Sequence, residues 1–396
     1  MVRTQEPILP EGPPEPPAPL LRLIDIRIWE DKMTLTTRTM LGAAALLAFG
    51  FAGSAGAAEL KMIASIPVPG APLTSFDISF VDQKTQRYYL ADRSNKAVDI
   101  VDAKDNKWIG RATGFVGAVM KPDGKSVNSN KSGPDGVLAV GNEIWGGDGD
   151  STIKVIDAKT MKITDTIKTG GSTRLDEMAY DPKNMIFIGA NNAEEPPFAT
   201  IIDMHAGHKI IAKIPFPDAT DGAEQPDWNA ADGMFYLAVP ELKKDPKKGG
   251  VAVIEPKTGK LVKMIEVDNC RPNGLAFGPD QNFVLGCQAN GKKGLAPVIT
   301  IMNAKTGKVV ANVADIGGAD MVAYSKKNNQ YYTGTSNMEG GAVLGVIDAK
   351  TNKLVQKIPM KGASTPHSVA VNDNNGHVFV PGGDGGCSCI QVFALQ

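Results

Sequence analysis

A motif that recurs at a nearly constant spacing constrains the fold of this chain more than any other feature. In each copy an apolar strand is followed by an acidic or amide residue, a short turn and a second apolar strand. Apolar strands on both sides of a turn predict a β-hairpin. The copies of the first strand and its turn lie at residues 98–104, 153–159, 200–205, 251–257, 299–305 and 344–350.

A second motif precedes each hairpin. It consists of a polar residue, a short apolar strand, a turn and another apolar strand. Together the two motifs give four strands in about 40–50 residues, which is the length of one β-propeller blade. The seven copies of the second motif begin at Asp77, Asp135, Asp176, Asp227, Asn273, Asp320 and His367.

These repeats predict an all-β fold, a single seven-bladed β-propeller of four-stranded blades over residues 58–396. The last repeat stops one strand short, after residues 390–394, whereas residues 60–66 form a spare apolar strand. We expect this N-terminal strand to complete the last blade, because closure removes an open sheet edge. A ring of six or eight blades is the alternative.

The first 57 residues have a different composition from the repeats. Residues 1–32 are proline-rich and irregular, and we interpret them as a non-native extension or a wrongly assigned start. Residues 33–57 are typical of a signal peptide, with Arg38 before an apolar stretch and small residues before the expected cleavage. The stretch is shorter than the about 20 residues that span a bilayer. We expect a periplasmic or secreted chain without a membrane span, and an uncleaved anchor is the alternative.

Charge and motifs exclude several classes of function. The 42 basic and 43 acidic side chains give a net charge of −1, which provides no basic surface for nucleic acid. The sequence contains neither the Cys-x-x-Cys-His motif that attaches haem nor a phosphate-binding Walker loop. We therefore expect a small-molecule ligand or a partner protein at the propeller face, and no haem, nucleotide or nucleic acid.

The polar residues that begin the second motif are the candidate site. The inner strand of every blade lines the central channel of a propeller, so we expect these seven residues to form a ring around one mouth. Repulsion among five carboxylates favours a bound cation or proton uptake. Oxygen ligands predict Ca²⁺ or Mg²⁺, and His367 would also permit Zn²⁺. In the alternative, a ring without metal, these residues bond backbone amides of the neighbouring blade.

Larger side chains near the same mouth are candidate ligand-binding residues. They are Arg174, Arg271, Trp145 and Trp228. Guanidinium and aromatic groups around an acidic floor could hold a sugar, a lactone or a carboxylate. The alternative is that they belong to solvated turns and the core. The insertion at residues 114–133 is either a lid over the mouth or a surface excursion.

The four cysteines fall into two pairs. Cys270 and Cys287 bracket one hairpin, which predicts a disulfide between them in an oxidising compartment. Cys387 and Cys389 alternate and so share one face of an extended strand. They form a strained bridge, stay free or bind a soft metal.

Two families resemble parts of this sequence. The repeats over residues 60–394 resemble YVTN-type (YncE-like) β-propeller repeat proteins, which implies a fold and not a function. Residues 271–280 are similar to the Pro-Asn-Gly strand of gluconolactonase-like propellers. That resemblance implies a metal-ligand role for Asn273, and for Asp320 in the place of that family's metal-binding aspartate.

Two functions follow from these observations. We predict an exported propeller that binds a small ligand, a metal or a partner protein at the acidic mouth of its channel. The alternative is a metal-dependent lactonase. There the cation polarises the carbonyl, and a ring carboxylate, Asp320 or Asp227, activates water.

Overall fold

The repeats form seven blades. The computed structural model describes residues 58–205, 207–288, 294–336, 338, 341–360, 367–384 and 387–396, without the side chains of 383, 384 and 387. Within these ranges the strands form seven four-stranded antiparallel sheets. The fold is thus an all-β, seven-bladed β-propeller, which confirms the predicted number of blades. The predicted extension and signal peptide, residues 1–57, lie outside the described residues.

In blades 1 to 6 the chain runs from the inner strand at the channel to the outer strand. Blade 1 comprises β2 (Ser79–Asp82), β3 (Arg87–Asp92), β4 (Ala97–Asp102) and β5 (Lys107–Thr113). Blade 2 comprises β6 (Val137–Val140), β7 (Glu143–Gly147), β8 (Thr152–Asp157) and β9 (Lys162–Lys168). Blade 3 comprises β10 (Met178–Asp181), β11 (Ile186–Asn191), β12 (Phe198–Asp203) and β13 (Ile210–Pro215).

The later blades follow the same order. Blade 4 comprises β14 (Pro226–Trp228), β15 (Phe235–Val239), β16 (Lys248–Glu255) and β17 (Lys260–Asp268). Blade 5 comprises β18 (Pro272–Phe277), β19 (Asn282–Cys287), β20 (Val298–Asn303) and β21 (Lys308–Ala314). Blade 6 comprises β22 (Ala319–Ser325), β23 (Gln330–Thr335), β24 (Val343–Asp348) and β25 (Lys353–Pro359). Two short 3₁₀ turns lie at Ser129–Lys131 and Pro279–Gln281.

The N-terminal strand closes the ring. Blade 7 consists of β26 (Ala370–Asn372), β27 (His377–Asp384), β28 (Cys387–Leu395) and, as its outer strand, β1 (Leu60–Pro67). Residues Leu60 and Ile66 pair with Leu395 and Ile390 in antiparallel register. The inner strands contact one another around the channel, and β26 contacts β2. The predicted closure by the first strand is therefore confirmed.

The acidic residue of the hairpin motif builds the turn between the two outer strands. Asp157 ends β8, and its Oδ1 accepts the amide hydrogens of Lys159 at 3.1 Å and Thr160 at 2.7 Å. Such side-chain turns satisfy backbone donors that the strands leave free. Met161 then adopts a positive φ of 57° and ends the turn before the return strand, β9. This local chemistry explains why the motif repeats.

The core lies between neighbouring blades. Each of seven apolar clusters among the described residues contains side chains from two adjacent sheets. Between blades 7 and 1, for example, Tyr88 stacks on Phe379 with ring centroids 5.1 Å apart. Both faces of every blade are thereby buried, as the two-sided apolar strands require. No helix in the described part of the chain is long and apolar enough to cross a membrane.

Candidate functional site

A cavity of about 350 Å³ lies where the inner strands begin. We call it the mouth cavity. Its lining comes from blades 1, 5, 6 and 7 and from the connection between blades 2 and 3. Four of the seven predicted ring residues line it, together with two arginines. These six residues are Asp77, Asn273, Asp320, His367, Arg93 and Arg174.

Two arginines lie among the carboxylates of the ring. Arg93 is buried and contacts the carboxylates of Asp77 and Asp135, its Nε lying 2.8 Å from Asp135 Oδ1. Nη1 of Arg174 lies 3.3 Å from Asp77 Oδ2, and its Nη2 lies 2.6 Å from Asp176 Oδ2. The guanidinium groups therefore lie on Asp77 and Asp135, where a metal ion was predicted, and they compete with a divalent cation for these two carboxylates.

Burial and the arginines divide the ring carboxyls into two kinds. Burial alone would raise the pKa of Asp77, but Arg93 and His367 outweigh it and hold that pKa below its usual range. Burial raises the pKa of Asp135 well above its usual value, despite Arg93. It raises the pKa of Asp176 to about 7. The cluster thus combines an ionised Asp77 with carboxyls that retain protons near neutral pH.

His367 is paired with Asp77. Its Nε2 lies 3.0 Å from Asp77 Oδ1, and its ring stacks on Phe76 with centroids 5.2 Å apart. Burial lowers the pKa of His367, but the hydrogen bond to Asp77 outweighs burial and the pKa is raised. This nitrogen is engaged by a carboxylate, which competes with the Zn²⁺ ligation predicted for it.

A hydrogen-bonded chain leads from the core to the mouth cavity. Asn273 Nδ2 donates to Asp320 Oδ1 at 2.8 Å, and Asn273 Oδ1 accepts from Gln288 Nε2 at 2.9 Å. Gln288 Oε1 in turn accepts from Arg271 Nε at 3.1 Å. The oxygen with which Asn273 would ligate a metal in the gluconolactonase-like interpretation is therefore already bonded, while Asp320 is fixed at the cavity wall.

Three of the four predicted ligand-binding residues do not line the mouth cavity. Arg271 is only 1% exposed and forms ion pairs within the protein. Trp145 is fully buried between blades 2 and 3, where it stacks on Phe187. Trp228 packs between blades 3 and 4. Both tryptophan side chains pack between neighbouring sheets, so the structure does not bring them to the mouth cavity, and of the four predicted residues Arg174 alone lines it.

Asp227 does not belong to the ring. It lines a separate cavity of about 320 Å³ in the channel, to which all seven inner strands contribute. Its carboxylate accepts the amide hydrogens of Trp228 at 2.8 Å and of Phe277, in the next blade, at 2.9 Å. Burial raises the pKa of Asp227 to about 6. These contacts match the alternative predicted from the sequence, in which the polar residues bond backbone amides of the neighbouring blade.

Glu224 occupies the ring position of blade 4. Its amide donates to a carbonyl of the second strand of its own blade at 2.9 Å, as do the amides of Asp77 at 2.9 Å and Asp176 at 2.8 Å. The sequence carries a signal for this register, since an Asp or Asn stands five positions after each of Asp77, Asp176 and Glu224. Those residues are Asp82, Asp181 and Asn229.

Two further acids, Glu177 and Glu224, complete a second group with Asp176. We call these three residues the acidic triad. Burial, and then the charge of Asp176, raise the pKa of Glu177 well above its usual value and that of Glu224 to about 8. Asn192 Nδ2 donates to Asp176 Oδ2 at 2.6 Å. The repeat pattern did not predict Glu177 as a site residue, because Glu177 directly follows Asp176, the residue assigned to the ring.

Covalent and loop contacts hold the rim. A disulfide joins Cys270 to Cys287, with Cα atoms 4.9 Å apart, and confirms the predicted pair. The side chain of Cys387 lies outside the described residues, and no described cysteine is a free thiol. Asn130, within the insertion, accepts the amide hydrogen of Arg174 at 3.0 Å. The insertion therefore packs beside the mouth and supports the connection that carries Arg174.

Comparison with known proteins supports the fold alone. No family model and no curated protein matches the sequence. A chain of hydrazine synthase from Kuenenia stuttgartiensis is similar in structure, with a TM-score of 0.63 and 14% sequence identity. The similarity covers 79% of this chain and 94% of that chain. Identity this low carries no activity across, so what this chain shares with that protein is its β-propeller architecture.

Proposed function

We propose that this chain is an exported β-propeller that binds a small, polar, hydrogen-bonding molecule in the mouth cavity. The lining of that cavity carries the proposal. Its side chains come from separate blades, and among the described lining residues Ala319 alone has an apolar side chain. Ligand pockets usually combine apolar walls with a few polar groups. A wall as polar as this one favours a ligand that forms hydrogen bonds over most of its surface.

Asp320 is the residue best placed to recognise such a ligand. It is half-buried at the cavity wall, and Asn273 holds one of its carboxylate oxygens. The guanidinium groups of Arg93 and Arg174 are already paired with carboxylates, so they favour an anionic ligand less. A carboxylate recognises hydroxyl or ammonium donors, which points to sugars, polyols and their lactones.

Calorimetric titration with a panel of sugars, polyols and sugar lactones tests this proposal. We expect one molecule per chain, bound about tenfold or more weakly by Asp320→Asn, because a hydrogen bond to a charged group is lost. Asp315→Asn is the matched control, since Asp315 is an exposed carboxylate in the connection that leads to the strand of Asp320. Equal affinity in the two variants, or no binding by the parent, would remove the proposal.

A metal-dependent lactonase is the second candidate. The closeness of Asn273 to Asp320, 2.8 Å between Nδ2 and Oδ1, favours it, because these are the two residues that the gluconolactonase-like resemblance singles out. A metal on Asn273 Oδ1 would have to compete with the hydrogen bond from Gln288. Asp227, the other carboxylate predicted to be catalytic, lines a different cavity. Release of acid from the same lactones by the parent, and its loss in Asp320→Asn, would replace binding with hydrolysis. A partner protein at this face remains the alternative if no small molecule binds.

A further inference from the structure

The acidic triad contains one buried carboxylate oxygen that has no hydrogen-bond partner among the described residues. Asp176, Glu177 and Glu224 each offer one carboxylate oxygen, and the three oxygens lie within 4.8 Å of one another. Glu177 is 2% exposed, and its Oε2 is buried without a hydrogen-bond partner in the described part of the chain. Burying an unpartnered carboxylate oxygen costs free energy, so this atom calls for a ligand.

We propose that the acidic triad binds one Ca²⁺ ion. Hard divalent cations bind carboxylate oxygens, and Ca²⁺–O distances of about 2.3–2.6 Å let one ion bridge oxygens as far apart as these. Asp176 and Glu177 precede the inner strand of blade 3, and Glu224 precedes that of blade 4. The ion therefore joins two neighbouring blades. Two of its three ligands lie outside the ring predicted from the sequence.

The charges around the acidic triad select a divalent ion. An ion that replaces the protons of the triad meets three negative charges, and one arginine, Arg174, contacts the triad through Nη2, 2.6 Å from Asp176 Oδ2. Arg174 also pairs with Asp77, so it offsets only part of this charge, and a divalent cation balances the remainder better than a monovalent cation does. The aspartates around Arg93 differ in this respect, because guanidinium groups lie among their carboxylates.

A polar cavity reaches one member of the acidic triad, Glu224. Glu224, Arg174 and Asn192 line a cavity of about 300 Å³, distinct from the mouth cavity but sharing Arg174 with it. Ca²⁺ takes six to eight oxygen ligands, more than three carboxylates supply. The cavity has room for the waters that complete the shell. This site is independent of the ligand proposed for the mouth cavity.

Calcium titration of chelator-treated protein tests the site. We expect CaCl₂ to bind once per chain in calorimetry and to raise the Tm by mass action. Glu177→Gln keeps the shape of the side chain and removes its charge, so the variant folds without the ion. Its calcium affinity should fall about tenfold or more, and its Tm should no longer respond to CaCl₂. Asp315→Asn, which changes an exposed carboxylate, is the control and should keep the parent's response, whereas Asp320→Asn tests the mouth cavity as the place of the ion.

Three results would overturn the site. One is a parent protein whose Tm and heat signal do not respond to about 5 mM CaCl₂, which exceeds the dissociation constants of about 0.1–1 mM of weak extracellular sites. Another is an equal calcium response in the parent and in Glu177→Gln. The third is a response lost in Asp320→Asn and kept in Glu177→Gln, which would move the ion to the Asp77, Asp320 and His367 group. Tighter binding of MgCl₂ than of CaCl₂ would overturn the choice of ion.

Discussion

Single residues in this propeller solve the problem of buried charge in two ways. Around Asp77 the solution is pairing, since Arg93, Arg174 and His367 all contact its carboxylate. A buried carboxyl without enough cations takes up a proton instead. Both solutions occur within one mouth. A separate pair of acids in blade 1, Asp92 and Asp99, allows proton uptake by a buried carboxyl to be measured away from the site.

Asp99 predicts a specific dependence of stability on pH. Burial, and then the neighbouring Asp92 carboxylate, raise the pKa of Asp99 to about 9. Between its ordinary pKa near 4 and this value, the folded chain binds a proton that the unfolded chain does not. The free energy of unfolding therefore falls as pH rises through this window, by at most about 1.4 kcal/mol per pH unit.

Replacing Asp99 by asparagine should remove this contribution. Urea unfolding at pH 5, 7 and 9 should give a flatter curve for Asp99→Asn than for the parent, with the variant gaining stability relative to the parent as pH rises. Asparagine can still accept the hydrogen bond that Arg111 Nε donates at 3.0 Å. Asp105→Asn, which changes an exposed carboxylate in the next turn, should follow the parent. Parallel curves for Asp99→Asn and the parent would contradict the prediction.

At the scale of the strand, closure depends on one element contributed from the other end of the chain. β1 pairs with β28 along its length, and Gln356 of blade 6 bonds the backbone of Leu60 through both its amide nitrogen and its amide oxygen. Leu60 and Ile66 are buried, whereas Met62 is 59% exposed. Closure therefore rests on the two buried side chains and the backbone ladder.

Substitutions in β1 test this closure. Ile66→Ala should lower the free energy of unfolding by about 2–5 kcal/mol, because it leaves a cavity beside blade 1. Met62→Ala, on the same strand, should change it by less than about 0.5 kcal/mol. Chemical denaturation of both variants provides the comparison. Two neutral substitutions would mean that β1 does not hold the ring together.

For the chain as a whole we propose export with cleavage before Ala58. The proposal rests on the pattern between Arg38 and Ala57, and the disulfide of blade 5 is in keeping with an oxidising compartment. N-terminal sequencing of chain recovered from the periplasm should begin near Ala58. Leu46→Arg interrupts the apolar stretch and should leave the uncleaved chain in the cytoplasm. An intact parent chain in the cytoplasm would contradict export.

The number and order of the blades can be read from the sequence, because the chemistry that forms them is local. Strand alternation, the Asp157-type turn and the spacing of the repeats lie within a few tens of residues, and so does the Cys270–Cys287 pair. Blade closure followed from counting strands. These features rest on backbone hydrogen bonds and on apolar faces that must be buried, and both leave a periodic trace in the chain.

The set of polar residues that meet at the mouth, in contrast, follows from the folded ring and not from any local pattern. His367 and Asp77 are 290 residues apart in sequence, and Arg174 and Asp77 are 97 apart, so no local pattern links them. The repeat placed Asp227 in the ring, whereas the register of blade 4 puts Glu224 there. Whether a carboxyl pairs with arginine, keeps a proton or holds an ion depends on its burial and on charges from other blades, and these are set only when the ring closes.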